Sequence, residues 1–303
     1  MRSRRLSLIV SEKINNLFAK GNNSVTQDLS KYDSRRLSYA NTFNSPIKRV
    51  IIKAIEMVTA KPTLLHKVRA FEKAGIPFGQ PFWSAALSVM GIRLDTPESE
   101  INRIPKHGPL VIVANHPHGL VDGMVLAALV GRVRTDYKIL TRSLLTGVEQ
   151  IDQFMIPVPF DHEENAVGKG LEMRRSAMAH LMAGGVIIVF PSGKVANSET
   201  AFGPVIEGPW NPFTANLITR SKAEVLPIFF PGRNSRAYQV AAQISATLRQ
   251  SLLLFEIKHA LGHPQRPHIG PPISQDELQK LAKSPRDLVA CLREITLDLG
   301  GKT

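Results

Sequence analysis

The chain has 303 residues, 43% of them apolar and 21% charged, with mean hydropathy close to zero, so it can build a large core and is not a disordered chain. Its single cysteine, Cys291, excludes a disulfide framework and a multi-cysteine zinc ribbon, and fits a reducing cytoplasm. The net charge of +13 is one-sided: residues 1–74 hold fifteen Lys/Arg against five Asp/Glu, and the remainder twenty-three against twenty.

Residues 1–45 are rich in Ser, Asn, Arg and Lys and show little periodicity, so they read as a mobile basic arm without a core. The opening MRSRRLSLIVSEK reaches Glu12 too soon for a signal-peptide apolar region. From Pro46, Ile47, Val50, Ile51, Ala54, Ile55 and Val58 recur at three- and four-residue spacing among Lys48, Arg49, Lys53 and Glu56, predicting an amphipathic helix that ends at Pro62. Two more helices follow, Leu64 to Ala74 and Pro81 to Met90, each closed by a glycine. This segment, 46–94, either packs on the main domain or lies on a membrane with its apolar side dipped and its Lys/Arg at lipid headgroups. Nucleic acid is not expected, because only 6% of the chain is aromatic and no recognition motif is present.

Beyond Asp95, over 95–303, short apolar runs alternate with helical patterns, which argues an α/β domain. Strands are predicted at Leu110–Ala114, Tyr137–Leu140, Ile156–Phe160, Val186–Phe190, Val225–Phe230 and Leu252–Ile257. Helices are predicted at Asp122–Val130, Val167–Met182 (with Val167, Leu171, Met178, Leu181 and Met182 on one face), Phe213–Ser221 and Tyr238–Leu248, and after Ser274 and Pro285. No run reaches the roughly 20 apolar residues of a membrane-spanning helix, and no internal repeat is present.

One segment concentrates chemistry: strand Leu110–Ala114, then Asn115-His116-Pro117-His118-Gly119-Leu120-Val121-Asp122-Gly123, then a helix. Ligands of open α/β sheets bind at strand ends of this kind. A carboxylate at Asp122, opening the helix, can return to hold the Nδ1 proton of a loop histidine, leaving the other nitrogen of His116 as a general base.

These residues resemble the glycerolipid and lysophospholipid acyltransferases, whose signature is NHxxxxD on a strand, loop and helix. The run Gly185-Val186-Ile187-Ile188-Val189-Phe190-Pro191-Ser192-Gly193 resembles that family's acceptor-binding FPEG block, and Val225-Leu226-Pro227-Ile228 its later VPV block, in family order over about Phe82 to Ile273. The resemblance implies an acyltransferase-type fold, a mixed sheet flanked by helices with an N-terminal helical membrane-facing segment. It also implies acyl transfer from acyl-CoA or acyl carrier protein to a lyso-lipid hydroxyl, such as lysophosphatidic acid or lyso-ornithine lipid, without cofactor or metal. His116 and Asp122 would be catalytic, and Asn115, His118, Gly119, Pro191, Ser192, Gly193 and Lys194 would bind substrate. Three departures stand out. Five residues separate His116 from Asp122 where the motif has four, Ser192 replaces glutamate, and Ile156-Pro157-Val158-Pro159-Phe160 lacks the family's arginine. A longer gap and an FP[AS]G block resemble bacterial lyso-lipid acyltransferases, which implies a peripheral protein on the inner face of a bacterial plasma membrane.

Other readings are blander or belong to different classes. Pro191-Ser192-Gly193 lacks the G-x-S-x-G nucleophile elbow and reads as a turn presenting backbone N–H groups. Arg174 and Arg175 read as solvated, and Lys194 as solvated or paired with an acidic headgroup. His116, His118 and Asp122 could instead ligate zinc in a metal-dependent hydrolase, although the metallo-β-lactamase pattern would need Asp and His where Leu120 and Val121 stand. A non-catalytic lipid-binding protein on the same fold is the third reading.

Overall fold

The computed structural model describes residues 33, 35, 37–142, 148–160, 163–281 and 284–301. The expected basic arm therefore lies outside the described residues up to 32. Its described end does not behave as coreless chain: Leu37, Ser38, Tyr39 and Ala40 are buried, and Glu56 accepts hydrogen bonds from the Ser38 hydroxyl (2.6 Å) and the Tyr39 N–H (2.8 Å). A buried carboxylate needs such donors, and they fix this segment to the next helix.

Four helices lead into the sheet: α1 (Pro46–Thr59), α2 (Lys61–Ala74), α3 (Pro81–Met90) and the short α4 (Glu98–Ile101). Ser45 caps α1, and Pro46 and Pro62 sit in the first turns of α1 and α2, where a missing N–H costs nothing. Pro62 thus begins a helix where the sequence suggested that it stops one. The side of α1 that packs is Ile52 and Glu56, whereas the apolar stripe faces solvent: Ile47 is 71% exposed, Val50 67%, Ile51 46%, Met57 53% and Val58 87%. Phe82, Trp83, Ala86 and Leu87 of α3 share one core with the sheet, so residue 94 does not separate two cores.

The sheet has six strands in the order β3-β2-β4-β1-β7-β8: β1 (Leu110–Ala114), β2 (Tyr137–Thr141), β3 (Met155–Pro157), β4 (Val186–Val189), β7 (Glu224–Phe229) and β8 (His268–Ile269). All neighbours are parallel except β7 and β8, so the sheet is mixed. Central β1 is buried along its whole length. Leu110, Ile112 and Ala114 face the core built with α3 and α5 (Leu120–Val130), while Val111 and Val113 face α6 (Ala166–Met182), α7 (Phe213–Ser221), α11 (Gln275–Leu281) and α12 (Pro285–Asp298). A strand covered on both faces needs apolar residues at every position, which explains its unbroken hydrophobic run. The protein is therefore α/β with a mixed sheet flanked by helices, and among the described residues no helix is long and apolar enough to cross a membrane.

Several expectations are corrected. Leu252–Ile257 is not a strand but the start of a helix, α10 (Leu253–Ala260), with Leu254, Glu256 and Ile257 buried. A short apolar run fits either state, and here the turn-spaced burial decides. The single helix expected over Tyr238–Leu248 is two, α8 (Arg236–Ile244) and α9 (Ala246–Ser251). Ser245 is extended at the break and its hydroxyl caps α9 by accepting from Leu248 N. On α6, Ala177 and Leu181 are buried while Val167, Leu171 and Met182 are exposed, so the proposed apolar face is mostly outward. A small antiparallel hairpin, β5 (Asn197–Ser198) with β6 (Val205–Ile206), was not visible in the sequence.

Candidate active site

The site forms where β1 ends at the middle of the sheet. Gly119 caps α5 with φ +72°, a left-handed conformation that a side chain disfavours, and this turn brings Asp122, three residues into the helix, back over the loop. Asp122 is fully buried and accepts four hydrogen bonds. Its Oδ2 takes His116 Nδ1 at 3.0 Å, His118 N at 2.8 Å and Gly119 N at 3.1 Å, and its Oδ1 takes His118 Nδ1 at 3.0 Å. Burial pushes the Asp122 carboxyl up, but the charge of His118 and the bonds from both imidazoles outweigh it and hold it below the usual carboxylate range. Burial likewise disfavours the His118 imidazolium. Asp122 beside it, with help from the Glu256 carboxylate, reverses the sign and raises it above the ordinary histidine value.

The two histidines occupy different positions. His118 is packed behind the carboxylate with its Nε2 edge against Gly232, where a Cβ would lie 2.9 Å from that nitrogen. His116 stacks on Phe190 at the end of β4, ring centroids 3.9 Å apart, and its Nε2 has no hydrogen-bond partner among the described residues. Each imidazole is thus oriented at Nδ1 by Asp122 and has no hydrogen bond at Nε2 among the described residues; the two differ in what their rings meet, Phe190 for His116 and Gly232 for His118.

The remaining residues singled out by the sequence divide. Asn115 is turned inward: its Oδ1 accepts from Phe230 N (2.7 Å) and its Nδ2 donates to Phe230 O (2.9 Å), so the amide staples β1 to the chain leaving β7 where substrate contact was expected. The Gly119 N–H is taken by Asp122. Pro191, Ser192, Gly193 and Lys194 form the turn after β4. There the Gly193 N–H is spent on Phe190 O (3.0 Å) and the Ser192 hydroxyl on Lys194 O (3.0 Å), while the Lys194 side chain lies over Gly208. That turn adjoins the histidine loop, since His116 O accepts from Ala196 N at 2.8 Å. Among the described residues, no three His, Cys, Asp or Glu side chains are arranged to hold a metal ion.

Sequence reasoning missed Glu207. This buried carboxylate accepts the His116 backbone N–H (3.1 Å) and the Trp210 indole N–H (3.2 Å), and Arg293 of α12 donates to the carbonyls of Glu207 (3.2 Å) and Gly208 (3.1 Å). A lone acid in a loop, 91 residues from the histidine, carries no local signal of this contact.

Residues 69–299, about three quarters of the chain, match the family described as Acyltransferase, so the chain belongs to that family. Among curated relatives it is 24% identical over 172 residues to the lyso-glycine lipid O-acyltransferase of Bacteroides thetaiotaomicron, covering 56% of this chain and 60% of that protein. It is 23% identical over the same length to the Phocaeicola vulgatus protein of the same name, covering 58% of it, so the chain spans somewhat under two thirds of the relatives that it matches. Among solved structures, it is similar to the 1-acyl-sn-glycerophosphate acyltransferase PlsC of Thermotoga maritima. That likeness has a TM-score of 0.48 at 15% identity, over 78% of this chain and 83% of that one.

Proposed function

We propose that this protein transfers an acyl group from a thioester to the hydroxyl of a lyso-lipid, with His116 as general base and Asp122 as the group that orients it. The observation that carries this reading is the His116–Asp122 pair: Nδ1 is held at 3.0 Å by a fully buried carboxylate, and Nε2 has no hydrogen-bond partner among the described residues. His116 Nε2 takes the proton of the acceptor hydroxyl as its oxygen attacks the thioester carbonyl. The tetrahedral adduct then collapses with cleavage of the C–S bond, and the thiolate leaves with the proton returned by the imidazolium. No acyl-enzyme is required, and no step calls on a metal. The donor is coenzyme A or acyl carrier protein, and the names of the curated relatives favour an acceptor of the lyso-glycine lipid kind. The exposed apolar stripe of α1, flanked by Lys48, Arg49 and Lys53, supports peripheral attachment to an anionic membrane, as on the inner face of a bacterial plasma membrane. The hydrolase reading needs Asp122 as a ligand beside His116 and His118, whereas both of its oxygens are taken by the two imidazoles and by the His118 and Gly119 N–H groups.

Turnover of radiolabelled acyl donor with lyso-lipid by purified protein tests the assignment. His116→Ala is expected to reduce transfer by about 10² to 10⁴-fold, the usual contribution of a general base, with the fold retained. Retention of half the wild-type rate would overturn the role of His116.

A further inference from the structure

His116 is gripped at four points. Its Nδ1 meets Asp122 Oδ2 at 3.0 Å, its ring stacks on Phe190, and its carbonyl accepts from Ala196 N at 2.8 Å. The fourth point is the main-chain N–H, which donates to Glu207 Oε2 at 3.1 Å. The register of β1 with β7 ends at Ala114, so a donor two residues further on needs an acceptor from elsewhere.

The acceptor supplied is a buried acid. Glu207 is 5% exposed, and among the described residues no Lys, Arg or His side chain lies within ion-pair distance of its carboxylate. The carboxylate is held by N–H donors instead, Oε2 by His116 and Oε1 by the Trp210 indole at 3.2 Å. Arg293 of α12 braces the main chain on which the side chain stands, donating to the carbonyls of Glu207 (3.2 Å) and Gly208 (3.1 Å). Burying a carboxylate is costly, and a carbonyl would satisfy the same N–H. What the carboxylate adds is a stronger, charge-assisted bond to each donor.

This anchor separates the two histidines, which Asp122 treats alike. Both imidazoles bond that carboxylate through Nδ1, and a ring held at one nitrogen can still pivot about the bond. The direction of Nε2 then depends on where the Cβ end of the ring is fixed. The His118 N–H returns to Asp122 itself at 2.8 Å, whereas the His116 N–H is tied to a second carboxylate 91 residues along the chain. We infer that Glu207 is a positioning residue for His116: its carboxylate fixes the main chain from which the ring extends, and so sets the line along which Nε2 meets the acceptor hydroxyl. This role rests on the acyl-transfer reading with His116 as base, and it requires no contact between Glu207 and substrate.

Glu207→Gln tests this at nearly constant volume, because its single amide oxygen can stand at the position of Oε1 or of Oε2 but not at both. Its kcat for acyl transfer should fall about tenfold, and that of Glu207→Ala up to about 10²-fold, the scale of a misplacement of about 1 Å, with KM for donor and acceptor kept. Trp210→Phe leaves the carboxylate and its bond to His116 in place and should lose less than Glu207→Gln. The imidazole NMR resonances of the full chain, assigned with His116→Gln and His118→Gln, supply a readout that needs no turnover. In Glu207→Gln the His116 resonances should shift or broaden while those of His118 stay. A Glu207 that only braces the fold would lower the melting temperature and leave the His116 resonances and the kcat of the folded protein unchanged. That result, a rise in KM with kcat kept, or equal shifts at both histidines would overturn the inference. A displaced His116 ring in a chain whose wild type has no transfer activity would overturn the proposed reaction and leave the anchor standing.

Discussion

The outward stripe of α1 can be removed without touching the face that packs. Ile47, Val50 and Val58 are 71%, 67% and 87% exposed, together a little over two fully exposed side chains, while Ile52 and Glu56 hold the helix to the protein. Burying an aliphatic side chain of this size is worth about 1.5–3 kcal/mol, so full insertion of these three into lipid would contribute about 3–7 kcal/mol. Insertion to half that extent still corresponds to a fall in membrane partitioning of roughly tenfold or more when all three become serine, at about 1.4 kcal/mol per decade. Co-sedimentation with vesicles containing anionic lipid, at low and high salt, measures it. The triple serine variant should lose binding at both salt concentrations with its melting temperature essentially unchanged. Replacing Lys48, Arg49 and Lys53 by alanine should cost about 1 kcal/mol each at low salt and much less at 1 M, where the Debye length is about 3 Å. Wild-type sedimentation by the serine variant would refute the membrane role of α1. A large drop in its melting temperature would refute the premise that the stripe is unpartnered.

His118, with its pKa raised by Asp122, contributes stability that is fully present below the unfolded histidine value near 6.5 and is lost as pH rises through the folded value. The melting temperature of His118→Gln should therefore fall further below wild type at pH 6 than at pH 9, and an equal gap at both would contradict the imidazolium–carboxylate pairing. Asn115→Ala removes two buried hydrogen bonds to Phe230, at about 1 kcal/mol each or more where a partner is left unsatisfied. It should lower the melting temperature by several degrees while leaving KM for acyl donor and acceptor near wild type, and a selective rise in KM would return Asn115 to the substrate.

Much of the α/β framework is readable locally because its strands are short, fully buried and bounded by turns: β1 begins and ends at the expected residues, and β2, β4 and β7 lie within a residue of expectation. The failures share a cause, tertiary context. Leu252–Ile257 carries a strand-like apolar run, but β7 receives β8 as its neighbour and the run winds into α10, where the buried Glu256 accepts from the Ser235 N–H (2.8 Å) and hydroxyl (2.5 Å). The stripe of α1 was legible as amphipathic, yet periodicity alone does not say which face meets the protein. At the site, His116 and Asp122 are visible because a strand, a loop and a helix follow in sequence. Glu207, Trp210 and Arg293 come from segments 90 or more residues away, and only the folded chain brings them to the loop.

The altered spacing of the histidine motif shows how geometry can preserve what a pattern appears to lose. With five residues between His116 and Asp122, the loop needs a sharp reversal, and Gly119 at φ +72° supplies it. The reversal also points two successive N–H groups, those of His118 and Gly119, at the same oxygen that meets His116, while His118 Nδ1 takes the other oxygen. Rotating the carboxylate would break all of these bonds at once, so Oδ2 is a fixed acceptor for His116 Nδ1. The extra residue therefore does not loosen the pair. It brings in a second imidazole and two main-chain donors that lock the carboxylate, and the orientation of the first imidazole is established before any substrate arrives.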